Sequence, residues 1–208
     1  VRYGLMLRED GIAMDDGTAA RLDEDHFVVT TTTANALPVY RHMEFVRQCL
    51  VPDMDVQLIS TTESWAQFAV AGPNARRVLD KIVDQDISNE AFPFMACANI
   101  TVCKGLRARL FRISFSGELA YEIAVPTAYG DALIRRIMKA GAEFGITPYG
   151  TEALGVMRIE KGHAAGNELN GTTTAANLGM GRMVSTKKDS IGAVLPTREG
   201  FDKSDDLR

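Results

Sequence analysis

The chain has 208 residues, 46% of them hydrophobic, enough to bury a sizeable core in one large domain or two small ones. A net charge of -4 and a pI near 5.4 leave no basic footprint for nucleic acid. There is no apolar run of about eighteen residues and no leader pattern, and Cys49, Cys97 and Cys103 are odd in number without CxxC spacing, so the expectation is a cytoplasmic protein with reduced cysteines and no membrane partner.

The first segment reads as a meander. Short apolar runs at Leu5–Leu7, Ile12–Met14 and Thr18–Leu22 are separated by Arg8-Glu9-Asp10-Gly11 and Asp15-Asp16-Gly17, both of turn-forming composition. His26–Thr33 is rich in β-branched residues and predicts a strand. Asn35 then offers an N-cap for a helix whose Leu37, Tyr40, Met43, Val46 and Leu50 share one face. Val56–Ile59 and Trp65–Val70 predict two more strands, and Ala75–Val83 carries helical periodicity through Val78, Leu79 and Ile82.

Ile100–Cys103 and Leu106–Phe115 predict a hairpin around Lys104-Gly105, with neither face of the second strand purely polar. Ala120–Val125 predicts a further strand, after which Thr127 caps a helix with Leu133, Ile134, Ile137, Met138 and Phe144 along its apolar stripe. Thr151–Glu160 predicts a short helix, followed by glycine-punctuated loop and one strand near Met183-Val184-Ser185. Strands and single helices alternate without a regular βαβ rhythm, so the expected class is α+β, with mixed or antiparallel sheets and packed helices. Val1 starts inside a strand and Pro196–Arg208 turns polar, which suggests a fragment of residues 1–195 ending in a tail or the start of a missing domain.

Two carboxylate groups stand out. Glu118 and Glu122 are four apart, so in a regular strand they share a side with the small Ala120 between them, leaving room for a flat ligand. The same pattern fits a solvated edge strand. Asp15 and Asp16 sit among apolar neighbours, where one could act on a proton of a nitrogen substrate, or both could simply bond a local turn. His26, His42 and His163 lack metal-ligand spacing, no phosphate loop is present, and no serine lies in a GxSxG elbow.

Taken in order, Gly11–Asp16, Val70–Pro73, Ser114–Glu122 and Arg158–Gly162 resemble the aminomethyltransferase family, which includes the glycine-cleavage T protein and folate domains of sarcosine and dimethylglycine oxidases. His26–Thr33, Ser88–Phe92, Ile146–Glu152 and Asn177–Met180 are similar to the folate-binding region at the C-terminal end of sarcosine oxidase alpha subunits. The resemblance implies a tetrahydrofolate site with Asp16 in the catalytic aspartate position and Glu122 holding the pterin; Glu118, Tyr121 and Arg158 fall in the same blocks as further cofactor-binding residues. It also implies transfer of the one-carbon unit of oxidised sarcosine to tetrahydrofolate, giving 5,10-methylenetetrahydrofolate. Flavin and NAD would be carried elsewhere in a heterotetrameric assembly, other subunits would be partners, and the fragment alone would be inactive. Relatives of the glycine-cleavage type place an arginine where this chain has Leu154, which favours the oxidase over a glycine-cleavage aminomethyltransferase. A non-catalytic folate-binding module is the other alternative.

Overall fold

Asp15 and Asp16 do not lie in a turn: they stand in the middle of one strand, β2 (Ala13–Arg21), in a computed structural model that describes residues 1–185 and 187–197. β2 pairs antiparallel with β1 (Arg2–Leu7), Leu5 opposite Asp16 and Met6 opposite Asp15, and β3 (Phe27–Val29) completes a sheet of order β1-β2-β3. The local composition favours a turn, but the packing does not. A Cβ on Gly17 would lie 1.9 Å from the Thr30 carbonyl oxygen, so glycine here permits the close approach of the next segment. That approach is fixed by the Thr30 N–H donating to the Thr18 carbonyl at 2.8 Å, with the two threonine hydroxyls also 2.8 Å apart.

The chain forms two compact units. One comprises Val1, residues 20–27 and residues 61–163; the other comprises residues 2–19, 28–60 and the described residues from Ala164 on. The expected strand at His26–Thr33 shortens to three residues; of the polar tail expected over Pro196–Arg208, Pro196 and Thr197 belong to a 3-10 turn (Leu195–Thr197) and the rest lies outside the described residues.

The first unit is built on an antiparallel sheet of order β4-β7-β6-β5, comprising β4 (Trp65–Ala71), β5 (Cys97–Val102), β6 (Leu106–Phe111) and β7 (Ala120–Pro126). Period-two alternation sends Val70, Ile100, Val102, Leu110, Tyr121, Ile123 and Val125 to one face, where they share an apolar cluster with residues of α2 (Ala75–Leu79) and α3 (Gly130–Gly141). Leu133 and Ile137 face this cluster from α3 while Arg135 and Arg136 point to solvent, as the apolar stripe predicts. Each fully buried Leu or Ile contributes roughly 1.5–3 kcal/mol. The β5–β6 hairpin turns through Cys103, Lys104 and Gly105 with positive φ, and both Asp84 carboxylate oxygens accept backbone N–H groups there, from Lys104 and Gly105 at 2.9 Å each. Thr127 does not cap the helix: its hydroxyl donates to the Glu63 carbonyl at 2.6 Å, and α3 begins at Gly130. α4 (Thr151–Lys161) follows, ended by Gly162 at φ +84°.

The second unit carries α1 (Ala36–Phe45), which runs into a π-helical turn at Val46–Leu50. The expected apolar stripe is only partly buried. Val39 is the buried residue of α1, while Leu37 and Leu50 are more than half exposed. Asn35 makes no side-chain cap; its amide instead donates to the Met14 carbonyl at 3.2 Å. Val56–Ile59 forms no strand, and Met183–Ser185 has a 3-10 turn over Gly181–Met183 in place of the expected strand. The α+β class with antiparallel sheets holds throughout the described residues.

Candidate functional site

Glu122 lies at the centre of the sheet face turned away from the first unit's apolar cluster. β7 places it there because Tyr121 and Ile123, its neighbours in sequence, take the core face. Ala69 stands opposite Glu122 on β4 and Phe111 on β6. Gln67, opposite Ala124 on β4, donates its side-chain amide to Glu122 Oε2. No cation pairs with this carboxylate among the described residues, and burial pushes its pKa above the ordinary glutamate range. The Tyr149 phenol is raised as well, by its own burial first and then by the Glu122 charge, which places Tyr149 within the electrostatic reach of Glu122. Arg109 and Trp65 share the same sheet face, the guanidinium carbon 4.0 Å from the ring centroid.

In the second unit the aspartate pair is divided by strand alternation. Asp15 is fully buried, with Oδ2 accepting the Thr32 N–H at 2.9 Å and Oδ1 without a hydrogen-bond partner. Asp16 faces the other way, half-buried, and accepts the Tyr3 hydroxyl at 2.6 Å. Tyr3 stands opposite Thr18, diagonal to Asp16 across the strand pair. Burial, and after it the bond to Asp16, raise the Tyr3 phenol well above its ordinary range.

The remaining residues singled out in the sequence are placed differently. Glu118 is exposed in the loop before β7, so the regular-strand premise that aligned it with Glu122 does not hold. Tyr121 is fully buried in the apolar cluster, where its hydroxyl accepts the Arg76 Nε–H at 2.8 Å and its ring stacks on Phe92. Arg158 is buried near the end of α4. Its guanidinium donates to the His163 carbonyl at 3.1 Å while its own carbonyl accepts the His163 N–H at 2.9 Å. The structure thus gathers Glu122, Gln67, Arg109, Trp65 and Tyr149 within one unit, and Asp16 with Tyr3 within the other. Gln67, Trp65, Arg109, Tyr149 and Tyr3 escaped the sequence reading, because cross-strand register is not written in any single strand. The WAQ alternation of Trp65–Gln67 was the one available signal.

The Glu122 carboxylate can accept two parallel donors of a flat heterocycle, since Gln67 engages only Oε2. Among the described residues no cluster of three or more His, Cys, Asp or Glu is arranged to hold a metal ion, and no helix is long and apolar enough to cross a membrane. The three cysteines are free thiols.

The fold is that of an aminomethyltransferase T protein. Glycine cleavage system aminomethyltransferase T from Bartonella henselae superposes with a TM-score of 0.75 over 89% of this chain and 47% of its own, at 23% sequence identity. The chain belongs to the GCVT N-terminal domain family, which matches residues 1–188. It is 55% identical over 206 residues to the sarcosine oxidase subunit alpha of Rhizobium meliloti, covering 98% of this chain, and 31% identical over 191 residues to an aminomethyltransferase of Geobacillus, covering 91% of this chain and 50% of that protein. The chain spans about a fifth, 21%, of the length of the sarcosine oxidase alpha subunits it matches.

Proposed function

We propose that this chain is the tetrahydrofolate-binding region of a sarcosine oxidase alpha-type subunit, in which the one-carbon unit of oxidised sarcosine is passed to tetrahydrofolate to give 5,10-methylenetetrahydrofolate. The observation that carries this reading is Glu122, a desolvated carboxylate without a cation partner among the described residues, held by one amide on a sheet face. Such a group is costly unless a donor-rich ligand meets it. The donor set of a reduced pterin fits: its ring N–H and amino group lie side by side, matching the two oxygens of one carboxylate. Tetrahydrofolate supplies the nitrogens that accept the one-carbon unit. Glu122 fixes the ring, and the Tyr149 phenol lies within electrostatic reach of the same carboxylate.

Asp16 takes the catalytic part, receiving the proton that leaves nitrogen as the new bond to carbon forms. Asp16 is only partly buried, whereas Asp15 is sealed in and bonded to the backbone of Thr32. Glu118 and Arg158 are assigned secondary contacts at most, Glu118 because it is exposed on a loop and Arg158 because it clasps the end of α4. Flavin and NAD belong to other parts of such an assembly, whose other subunits are the partners of this region in the cytoplasm.

Product analysis in a reconstituted oxidase tests the assignment. Asp16→Asn should leave sarcosine consumption nearly intact, while methylenetetrahydrofolate formation falls by about 100-fold to 10,000-fold and formaldehyde is released instead. Asp15→Asn should do much less. The reverse pattern would move the role to Asp15, and an unchanged product ratio in both variants would leave a non-catalytic folate-binding module as the better reading.

A further inference from the structure

The open face of the four-stranded sheet holds charges that do not pair with one another. Arg107 and Arg109 alternate on β6 and stand opposite Thr101 and Asn99 on β5, while Arg109 stands opposite Ala124 on β7. None of these neighbours is acidic, and neither arginine forms an ion pair among the described residues. The Arg109 Nε is buried without a hydrogen-bond partner, and desolvation, followed by the nearby Arg107 charge, lowers the pKa of its guanidinium. Two like charges side by side on a partly buried strand are unfavourable unless an anion joins them.

Glu122 could have been that anion. It lies two residues along β7 from Ala124, so its Cα is diagonal to that of Arg109, about 7–8 Å away. Yet its carboxylate takes the Gln67 amide, and no cation contributes to its raised pKa. The stack on Trp65 holds the Arg109 guanidinium aside and keeps its donor fork pre-oriented. An unpaired carboxylate and an unpaired guanidinium fork therefore share one face, each lacking what the other could supply. A ligand with donors at one end and a carboxylate further along satisfies both.

We propose that Arg109, with Arg107 beside it, receives a carboxylate of the same ligand whose ring rests on Glu122, so that this face reads the glutamyl tail of a folate as well as its pterin. The proposal rests on the folate reading of Glu122 and extends it to the other end of the ligand. A guanidinium fork matches a carboxylate in a bidentate geometry, which a lysine in the same place would not reproduce.

The test is calorimetry on the complete assembly with two probes: 5-formyltetrahydrofolate, which carries the glutamyl carboxylates, and 6-methyltetrahydropterin, which lacks the tail. Arg109→Gln should weaken 5-formyltetrahydrofolate about tenfold and leave 6-methyltetrahydropterin within roughly twofold, while Glu122→Gln weakens both. Arg109→Lys should recover part of the loss, because it keeps the charge without the fork. In the unaltered protein, rising salt should weaken the tailed ligand more than the tailless one. Equal weakening of both probes by Arg109→Gln would make Arg109 a support of the sheet, and no weakening of either would make it a bystander; each outcome overturns the proposal. Glycine displacing the tailed probe but not the tailless one would assign the arginines to a free amino acid, and also overturns it. Binding of neither probe to the unaltered assembly removes the folate reading and this inference together, whereas a failure confined to Arg109 leaves the folate reading standing.

Discussion

The unit built on β4 to β7 and the unit containing Asp15 and Asp16 place their polar groups in opposite ways. In the first, one sheet face is filled by the apolar cluster from Val70 to Ile137, and Glu122, Gln67 and Arg109 occupy the other. Packing and candidate chemistry are thus separated by the pleat of the sheet. In the second, the buried set includes Asp15, Thr173 and Thr174 among small apolar residues such as Ala13 and Ala175. Hydrogen bonds carry much of the local order there: Ala13 N–H donates to the Thr173 carbonyl at 2.8 Å, and the Thr174 hydroxyl and N–H both donate to Asn177 Oδ1, at 2.7 and 2.9 Å. Glu122, Gln67 or Arg109 in the first unit can change without disturbing the apolar cluster, whereas Asp15 in the second is itself part of the interior.

The sharpest way to break this contrast is to remove core from the first unit. Leu110 is fully buried within the apolar cluster, so Leu110→Ala should cost about 2–5 kcal/mol in urea unfolding, through lost burial and the cavity left behind. A cost under about 1 kcal/mol would mean that the cluster does not set the stability of this unit.

Glu122→Gln, on the opposite face of the same sheet, should behave in the reverse manner. Burial raises the folded-state pKa of Glu122, so its contribution to stability is greatest at low pH and is lost as pH rises through the raised value. The neutral variant should therefore be no less stable at pH 7, while folate affinity falls by about ten- to a hundredfold through loss of a charged hydrogen bond. The affinity of the unaltered protein should rise with pH as Glu122 ionises, with an acid limb above the ordinary glutamate range, and the variant should lose that limb. Calorimetry across pH checks both, and an unchanged affinity would reassign the pterin contact, Glu118 being the first carboxylate to try.

The same division decides what was legible in the sequence. The β5–β6 hairpin, β7 and α3 follow from apolar period and turn chemistry, because each pattern is local and its burial agrees with it, whereas α4 forms with Arg158 as its buried residue and Val156 and Ile159 exposed. Val56–Ile59 has strand composition but no pairing partner in the described residues, and a strand without a ladder is not stable. Asp15-Asp16-Gly17 has turn composition, yet the close approach of Thr30 to Gly17 holds it extended, a contact made by residues thirteen positions away that composition cannot show. Glu122 was visible as a candidate, but its separation from Glu118 depends on where β7 begins, at Ala120, and element boundaries are weakly encoded. Gln67, Trp65 and Arg109 join Glu122 only through the register of three strands.

The smallest expected effect lies in the second unit, at Tyr3. Its hydroxyl donates to Asp16 Oδ2 at 2.6 Å, a bond that favours the charged carboxylate. If Asp16 accepts a proton during transfer, it must begin ionised, and removing the phenol makes it easier to protonate. Tyr3→Phe should therefore move the acid limb of methylenetetrahydrofolate formation to higher pH, slowing transfer by roughly three- to tenfold below that limb and hardly at all well above it, the discount reflecting a pair that is only half-buried. The ring is kept, so packing against β2 changes little, and sarcosine consumption serves as the internal control. A uniform loss at every pH would show that the hydroxyl only braces the β1–β2 pair, and an unmoved profile would remove Tyr3 from the proton chemistry while leaving Asp16 to be judged by its own variant.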